Sequence, residues 1–422
     1  MLHILATRRF GPLFVTQFLG AFNDNLYKTA MLFLITYHLL AHRPEDAAVM
    51  VTLAGGVFIL PFLLFSSLAG EFADSVDKAA VVRLVKLAEI GIMVVGAFAL
   101  THDSIALLML VLFGMGVHST FFGPIKYAIL PQHLRADELL GGTGLVEAGT
   151  YVAILTGQIA GGILGAHAAW AVVAVALIGW LTGRQVPPAP PTKAIRVNFN
   201  ILTSSWRMIA HVAEDRRLLM TVFAVSWFWA MGAVLTTQFV PLVKDRLHAG
   251  EGVATLFLTI FSIGVALGSM AVSRMLKGAV SARHTPLASI AVTLFIAYLV
   301  AAVHFYAVTP GQVGMLTFLA RPGSWHILLA LFGLAASAGI FVVPLYAMLQ
   351  TECDPGERAR TIAANNIVNS AFMVAASLVA AAMIGAGLEV LDVILGVGVA
   401  NLLVIPLALK LRVDRAVLNP LP

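Results

Sequence analysis

The sequence predicts an all-α integral membrane protein with twelve transmembrane helices arranged as two six-helix bundles. Three observations lead there. Of 422 residues, 60% are hydrophobic and only 11% are charged, and the mean hydropathy is +0.93. A soluble domain carries roughly 25% charged residues, so an ordinary globular enzyme is excluded, as is a disordered chain, which needs low hydrophobicity. The apolar residues fall into long runs, and at roughly 35 residues per span with its loop the length accommodates about twelve of them. The longest polar stretch, Arg184 to Arg217, begins with Pro187, Pro188, Pro190 and Pro191 and lies between the sixth and seventh runs. It reads as a linker. The expected domains are residues 1–183, an N-terminal bundle, 184–217, a cytoplasmic linker, and 218–422, a C-terminal bundle.

The runs lie at about 11–40, 47–69, 82–101, 105–130, 139–165 and 167–183, then 218–243, 252–275, 285–308, 325–350, 361–386 and 389–410. Their length makes them helices, since a membrane β-strand needs only about ten residues and an alternating pattern. Arg8 and Arg9 precede the first run without a separate short apolar region or cleavage site, so no removable signal peptide is expected. Placing loops on alternate sides, with the N-terminus inside, puts 20 of the 26 Lys and Arg residues on the cytoplasmic side (Arg8, Arg9, Lys78, Arg83, Lys86, Arg135, Arg184, Lys193, Arg196, Arg207, Arg216, Arg217, Arg274, Lys277, Arg283, Arg358, Arg360, Lys410, Arg412 and Arg415). Four (Arg43, Lys244, Arg246, Arg321) fall outside, and Lys28 and Lys126 lie within spans. The positive-inside rule then places both termini in the cytoplasm. The formal charge of +5 is spread between spans and is no nucleic-acid footprint. A single cysteine, Cys353, excludes a disulfide framework and a four-thiolate zinc site.

The halves look related. Pro124 with Tyr127-Ala128-Ile129-Leu130 and Glu138 recurs as Pro344 with Tyr346-Ala347-Met348-Leu349 and Glu357, at the end of the fourth span of each half. Two duplicated six-helix bundles joined by a cytoplasmic linker describe the major facilitator architecture, with a substrate site near the midplane between the halves. After the second span stands Gly70-Glu71-Phe72-Ala73-Asp74, then Asp77-Lys78. It is similar to the Gly-x-x-x-Asp loop of major facilitators, with Ser75 in place of a basic residue; Gly268 to Arg274 is a weaker echo. Gly70, Asp74, Asp77 and Lys78 are the expected gating residues, an interhelical latch holding one access state.

Charges within the membrane are costly and mark functional sites. The first span holds Asn23, Asp24, Asn25 and Lys28. Gln17, Gly20, Ala21, Asp24, Tyr27 and Lys28 share one helical face, and Asp24 and Lys28 are spaced as an i,i+4 ion pair. Such a pair braces packing or lines a substrate cavity; Asn23 and Asn25, which the pair does not need, favour the cavity. In the fifth span Thr143, Glu147, Thr150, Tyr151 and Gln158 share a face, while Gly157, Gly161 and Gly165 allow close helix approach. The equivalent span of the second half offers Asn366 or Asn369 where the first has Glu147. Lys126, at the end of the fourth span, either snorkels to the interface or contacts an anionic group such as phosphate. His118 reads as a packing residue, and Trp227 and Trp229 as lining or core. There is no phosphate loop, metal-ligand cluster or Ser-His-Asp arrangement, so neither cofactor nor metal is expected and the chain reads as a transporter, not an enzyme.

Phe18-Leu19-Gly20-Ala21-Phe22-Asn23-Asp24-Asn25 with Lys28 resembles the opening of bacterial lysophospholipid transporters of the major facilitator superfamily. Gly123-Pro124-Ile125-Lys126-Tyr127-Ala128-Ile129-Leu130-Pro131 and Gly144-Leu145-Val146-Glu147-Ala148-Gly149-Thr150 are similar to that family too, most closely in the first half. Thr143, in place of an expected asparagine, and Ala128, in place of a usual glycine, depart from the pattern. The resemblance implies inward movement of lysophospholipid, such as lysophosphatidylethanolamine, across the bacterial inner membrane, by a flippase working through alternating access. Some relatives carry acyltransferase and acyl-carrier-protein synthetase domains after the transporter; here the chain ends at Pro422, so that enzyme is expected as a separate partner. A monomer in the lipid bilayer is expected. Asp24 and Glu147 are the candidates for an ethanolamine ammonium, and Lys28 or Lys126 for phosphate. The competing reading is a proton-coupled exporter of amphipathic drugs with Glu147 or Asp24 as the proton site. A membrane-bound acyltransferase is disfavoured because no His-x-x-x-x-Asp motif is present.

Overall fold

The computed structural model describes residues 2–191, 197–307 and 313–412. Lys193, Arg196 and Arg415 of the cytoplasmic set lie outside the described residues. The chain is helical almost throughout. In the first half the spans are α1 (Gly11–Leu34), α2 (Pro44–Ser75), α3 (Lys78–Thr101), α4 (Ile105–Ala128), α5 (Ala136–Leu164) and α6 (Ala168–Gly183). A further helix, α7 (Ile201–Glu214), lies in the linker. The second half contains α8 (Arg216–Pro241), α9 (Glu251–Met275), α10 (Thr285–His304), α11 (Pro322–Thr351) and α12 (Arg358–Gly385), and ends in α13 (Val390–Asn401) and α14 (Val404–Leu411). Among the described residues ten helices are long and apolar enough to cross a membrane, α13 and α14 together forming one of them. α1, interrupted by its amides and charges, and the 16-residue α6 complete twelve.

Local chemistry sets the boundaries. Asp77 accepts the Ala79 N–H at 2.9 Å, an N-cap that starts α3 at Lys78, several residues before the apolar run at 82. Lys86, inside the expected run 82–101 but counted with the cytoplasmic charges, therefore stands well within the helix. It stands eight residues past the start, about 12 Å along the axis at 1.5 Å per residue, and is fully buried. Lys86 thus leaves the cytoplasmic set and joins Lys28 and Lys126 as an in-span lysine. Asn200 caps α7 by accepting the Thr203 N–H at 3.2 Å, a helix the linker's prolines concealed. Pro124 and Pro344 both lie inside a span, α4 and α11, the matching fourth positions of the two halves.

Contacts divide the chain into two compact units. The first is Met1–Asp215 with Leu349–Ile367, and the second is Arg216–Met348 with Val368–Pro422. In the first unit α1 lies against α5 so closely that a Cβ at Gly157 would be 2.4 Å from the Phe22 carbonyl oxygen, and one at Gly161 would be 2.7 Å from that of Leu26. Lipid gives helices no hydrophobic reason to associate, so such close backbone approach is what holds them. Gly165 does not extend this ridge: a Cβ added there would meet no neighbouring helix within 4 Å, and its φ of +49° ends α5, a left-handed conformation that glycine adopts without steric penalty. In the second unit α9 and α11 cross in the same way, a Cβ at Gly339 lying 2.4 Å from the Val265 carbonyl oxygen. There Trp229 Nε1 donates to Tyr346 Oη at 2.6 Å and Trp227 Nε1 to Asn401 Oδ1 at 2.8 Å.

Candidate functional site

The polar residues of α1 meet partners from α3 and α4 inside the first unit. Asn23 is fully buried and donates to Glu89 Oε1 at 3.0 Å and to the Val172 carbonyl at 3.1 Å. Glu89 pairs with Lys86, and its Oε2 lies 3.2 Å from His118 Nε2. The Lys86 side chain passes through a gap left by two glycines: a Cβ at Gly20 would be 3.3 Å from Nζ, and one at Gly179 would be 2.9 Å from Cε. Its ammonium also sits 5.9 Å from the Phe122 ring centroid. Isolated charges cannot be buried this way; paired and hydrogen-bonded ones can.

Asp24 stands beside this cluster. Its Oδ2 accepts the Ser119 hydroxyl at 2.5 Å, while Oδ1 has no hydrogen-bond partner. Lys126 interacts electrostatically with both Glu147 and Asp24 and lies 4.8 Å from the Tyr127 ring centroid. The Tyr127 hydroxyl donates to Glu147 Oε1, leaving Glu147 Oε2 without a hydrogen bond. Lys126 is half-buried, so its stem can still lead toward the interface while its ammonium feels both carboxylates. Asp24 and Glu147, each with one carboxylate oxygen free of hydrogen bonds, both act electrostatically on Lys126.

Other expected residues are placed differently. Asp24 and Lys28 interact electrostatically without an ion pair within 4 Å, and the Lys28 ammonium lies 5.6 Å from the Phe58 ring centroid. Asn25 donates back to the Ala21 carbonyl at 2.8 Å, satisfied within its own helix. Tyr151 is buried and Gln158 half-buried. Asn366, half-buried, faces Gly123, where an added Cβ would be 3.2 Å from its Nδ2. Asn369 belongs to the second unit and accepts the Ser226 hydroxyl at 2.7 Å. His118 is a member of the charged cluster, not only a packing residue. Glu89 and Ser119 went unnoticed in the sequence. Glu89 lies inside the run 82–101 and shares an i,i+3 face with Lys86, a signal hidden once Lys86 is counted with the cytoplasmic charges.

A second arrangement lies where α2 ends. Asp74 accepts the backbone N–H groups of Ala359 at 3.2 Å and Arg360 at 3.0 Å, at the start of α12, where helix N–H groups lack internal partners. Arg360 Nε and Lys78 Nζ approach the same carboxylate at 3.7 and 3.9 Å. Gly70 makes room: a Cβ there would be 2.6 Å from the Ala363 Cβ. Asp77 is not part of this contact; besides capping α3 it accepts the Ala189 N–H at 2.8 Å.

The model of the Major Facilitator Superfamily matches residues 13–377. The chain belongs to the major facilitator superfamily. Lysophospholipid transporter LplT of Serratia proteamaculans is 28% identical over 363 residues, covering 82% of this chain and 81% of that one. LplT of Citrobacter koseri is 28% identical over 411 residues, covering 93% and 92%. The resemblance seen in three first-half segments thus extends along most of the chain. Among solved structures, the human organic anion transporter MFSD10 superposes with a TM-score of 0.74 at 16% identity, covering 95% of this chain and 99% of the other. The fucose:proton symporter FucP of E. coli gives 0.71 at 13% identity, covering 96% and 98%. At these identities the structures speak for the fold, a major facilitator fold.

In this major facilitator the site offers both signs of charge at membrane depth. A ligand bearing a cation and an anion would exchange its hydration shell for Asp24 and Glu147 on one side and Lys126 on the other. Charge-assisted hydrogen bonds of that kind are roughly twice as strong as neutral ones.

Proposed function

We propose that this chain moves lysophospholipids, lysophosphatidylethanolamine among them, inward across the bacterial inner membrane by alternating access. The observation that carries the reading is the set Asp24, Lys126 and Glu147, in a chain whose relatives are named lysophospholipid transporters. Asp24 and Glu147 attract the ethanolamine ammonium, Lys126 or Lys28 the phosphate, and the single acyl chain lies on apolar surface. Tyr151, Gln158 and Asn366 complete the proposed lining within the first unit. The contact of Gly70 and Asp74 with the start of α12 acts as the latch of one access state, with Lys78 assisting. An acyltransferase with acyl-carrier-protein synthetase activity would consume the delivered lipid, and a monomer suffices.

Proteoliposomes with labelled lysolipids test this. One-chain zwitterionic phospholipids should cross faster than in protein-free vesicles, and two-chain phospholipids poorly. Glu147→Gln should weaken uptake of an ethanolamine lysolipid more than that of a glycerol lysolipid, since only the former carries a cation. Proton-driven efflux of cationic drugs with no lysolipid movement would replace this reading with an exporter.

The proposed topology has both termini cytoplasmic, bundles at 1–183 and 218–422, and the linker at 184–217. Cysteines introduced near Arg43 and Arg321 should react with impermeant reagents from outside the cell. Reaction only from the cytoplasmic side would overturn it.

A further inference from the structure

The linker helix α7 has three faces. One, through Ser204, Met208 and Val212, is buried. Ser204 donates to Glu71 Oε1, and Ser205 to Ser67 at 3.0 Å. A polar face carries Thr203, Arg207 and His211, and His211 Nε2 meets Glu357 Oε2 at 2.6 Å. The third face is apolar and uncovered: Leu202 is 83% exposed and Trp206 74%, with Phe199 just before the helix at 80%. Ile209 and Ala213 continue the stripe at helical spacing.

Two observations identify what covers this face. The first is depth. Ser67 and Glu71 lie within the candidate span Leu53–Ser75; Ser67 is eight residues from its end, about 12 Å at 1.5 Å per residue. A helix bonded to both residues lies alongside the last turns of a membrane span, where the surroundings are lipid headgroups and the first methylenes. The second is charge. The linker from Arg184 to Arg217 holds six basic residues, Arg184, Lys193, Arg196, Arg207, Arg216 and Arg217, against Glu214 and Asp215. An amphipathic helix with tryptophan and leucine on one side and basic residues nearby lies in the interface plane and is held there by anionic headgroups.

We infer that α7 is a membrane-surface anchor, its Leu202–Trp206 face seated in the headgroup layer of the bilayer and favouring anionic lipid. The anchor's other faces hold Glu71 and Glu357, which flank the Asp74–Arg360 contact, so lipid engagement bears on the latch residues of the same unit. This inference does not depend on which substrate is carried.

The test uses the full chain in phosphatidylethanolamine–phosphatidylglycerol vesicles. Cys353, the single cysteine, is buried, and burial pushes its thiol up to about 11, so a Cys353→Ser background leaves little unwanted labelling. Trp206→Cys, Leu202→Cys and Thr203→Cys are each labelled with an environment-sensitive fluorophore. Positions 202 and 206 should be quenched strongly by lipid-borne shallow nitroxides and weakly by aqueous iodide, with position 203 the reverse. Replacing phosphatidylglycerol with phosphatidylcholine should lower the lipid quenching at 206. Iodide quenching at 202 and 206 equal to that at 203 would overturn the anchor. Shielding from both quenchers would also overturn it, in favour of a second protein copy. Quenching indifferent to anionic lipid would overturn the electrostatic part.

Discussion

Asp24→Asn should lower lysophosphatidylethanolamine transport by roughly ten- to a hundredfold while leaving expression and folding nearly unchanged. A hydrogen bond to a charged group contributes roughly 1.5–3 kcal/mol, and each 1.4 kcal/mol is about a factor of ten. Asn keeps an acceptor for Ser119 Oγ, which now lies 2.5 Å from Oδ2, so the local packing survives. What disappears is the negative charge behind Oδ1, which no neighbour uses for a hydrogen bond. Transport in proteoliposomes, read beside the melting midpoint in detergent, separates the roles. Normal transport, or failure accompanied by a lowered midpoint, would make Asp24 a structural residue.

The second large effect concerns stability. Lys86→Met and Glu89→Gln, made singly, should each destabilise the protein by about 3–5 kcal/mol, the usual consequence of leaving one buried charge without its partner. Lys86 is fully buried and Glu89 nearly so. The double variant Lys86→Met/Glu89→Gln should recover most of the loss, because the glutamine oxygen still accepts from Asn23 and no charge remains uncompensated. Detergent denaturation midpoints of the three variants form a double-mutant cycle. Singles as stable as the parent, or a double variant worse than either single, would show that the cluster does not act as an ion pair.

The spans were legible from the sequence because hydrocarbon demands about 20 apolar residues per crossing and backbone bonds closed within each helix. The expected runs and the observed helices therefore coincide to within a few residues at most ends. The intramembrane residues Asp24, Lys126 and Glu147 were legible for a related reason: charge in an apolar run is expensive, and a chain retains it only for a purpose. Gly157 and Gly161 were legible as a packing ridge, whereas Gly165, at the same spacing, proved to be a helix end.

Partner choice was another matter. The i,i+4 spacing of Asp24 and Lys28 predicted an ion pair; the two do interact electrostatically, but the close contacts are those of Asp24 with Ser119 of α4 and of Lys28 with the Phe58 ring. Spacing along one helix says which side chains are able to meet; neighbouring helices offer competitors that a single helix cannot reveal. Lys86 falls inside the expected run 82–101 yet reads as a cytoplasmic charge, because a lysine four residues into a run looks interfacial until its partner Glu89 is in place. Hydropathy by itself determined that this protein crosses the membrane many times and carries charge into it. Only the tertiary structure decided which charges neutralise one another, because Lys86, Glu89, Asn23 and His118 come from three helices, and their pairing depends on gaps such as Gly20 and Gly179 that exist only once those helices have packed.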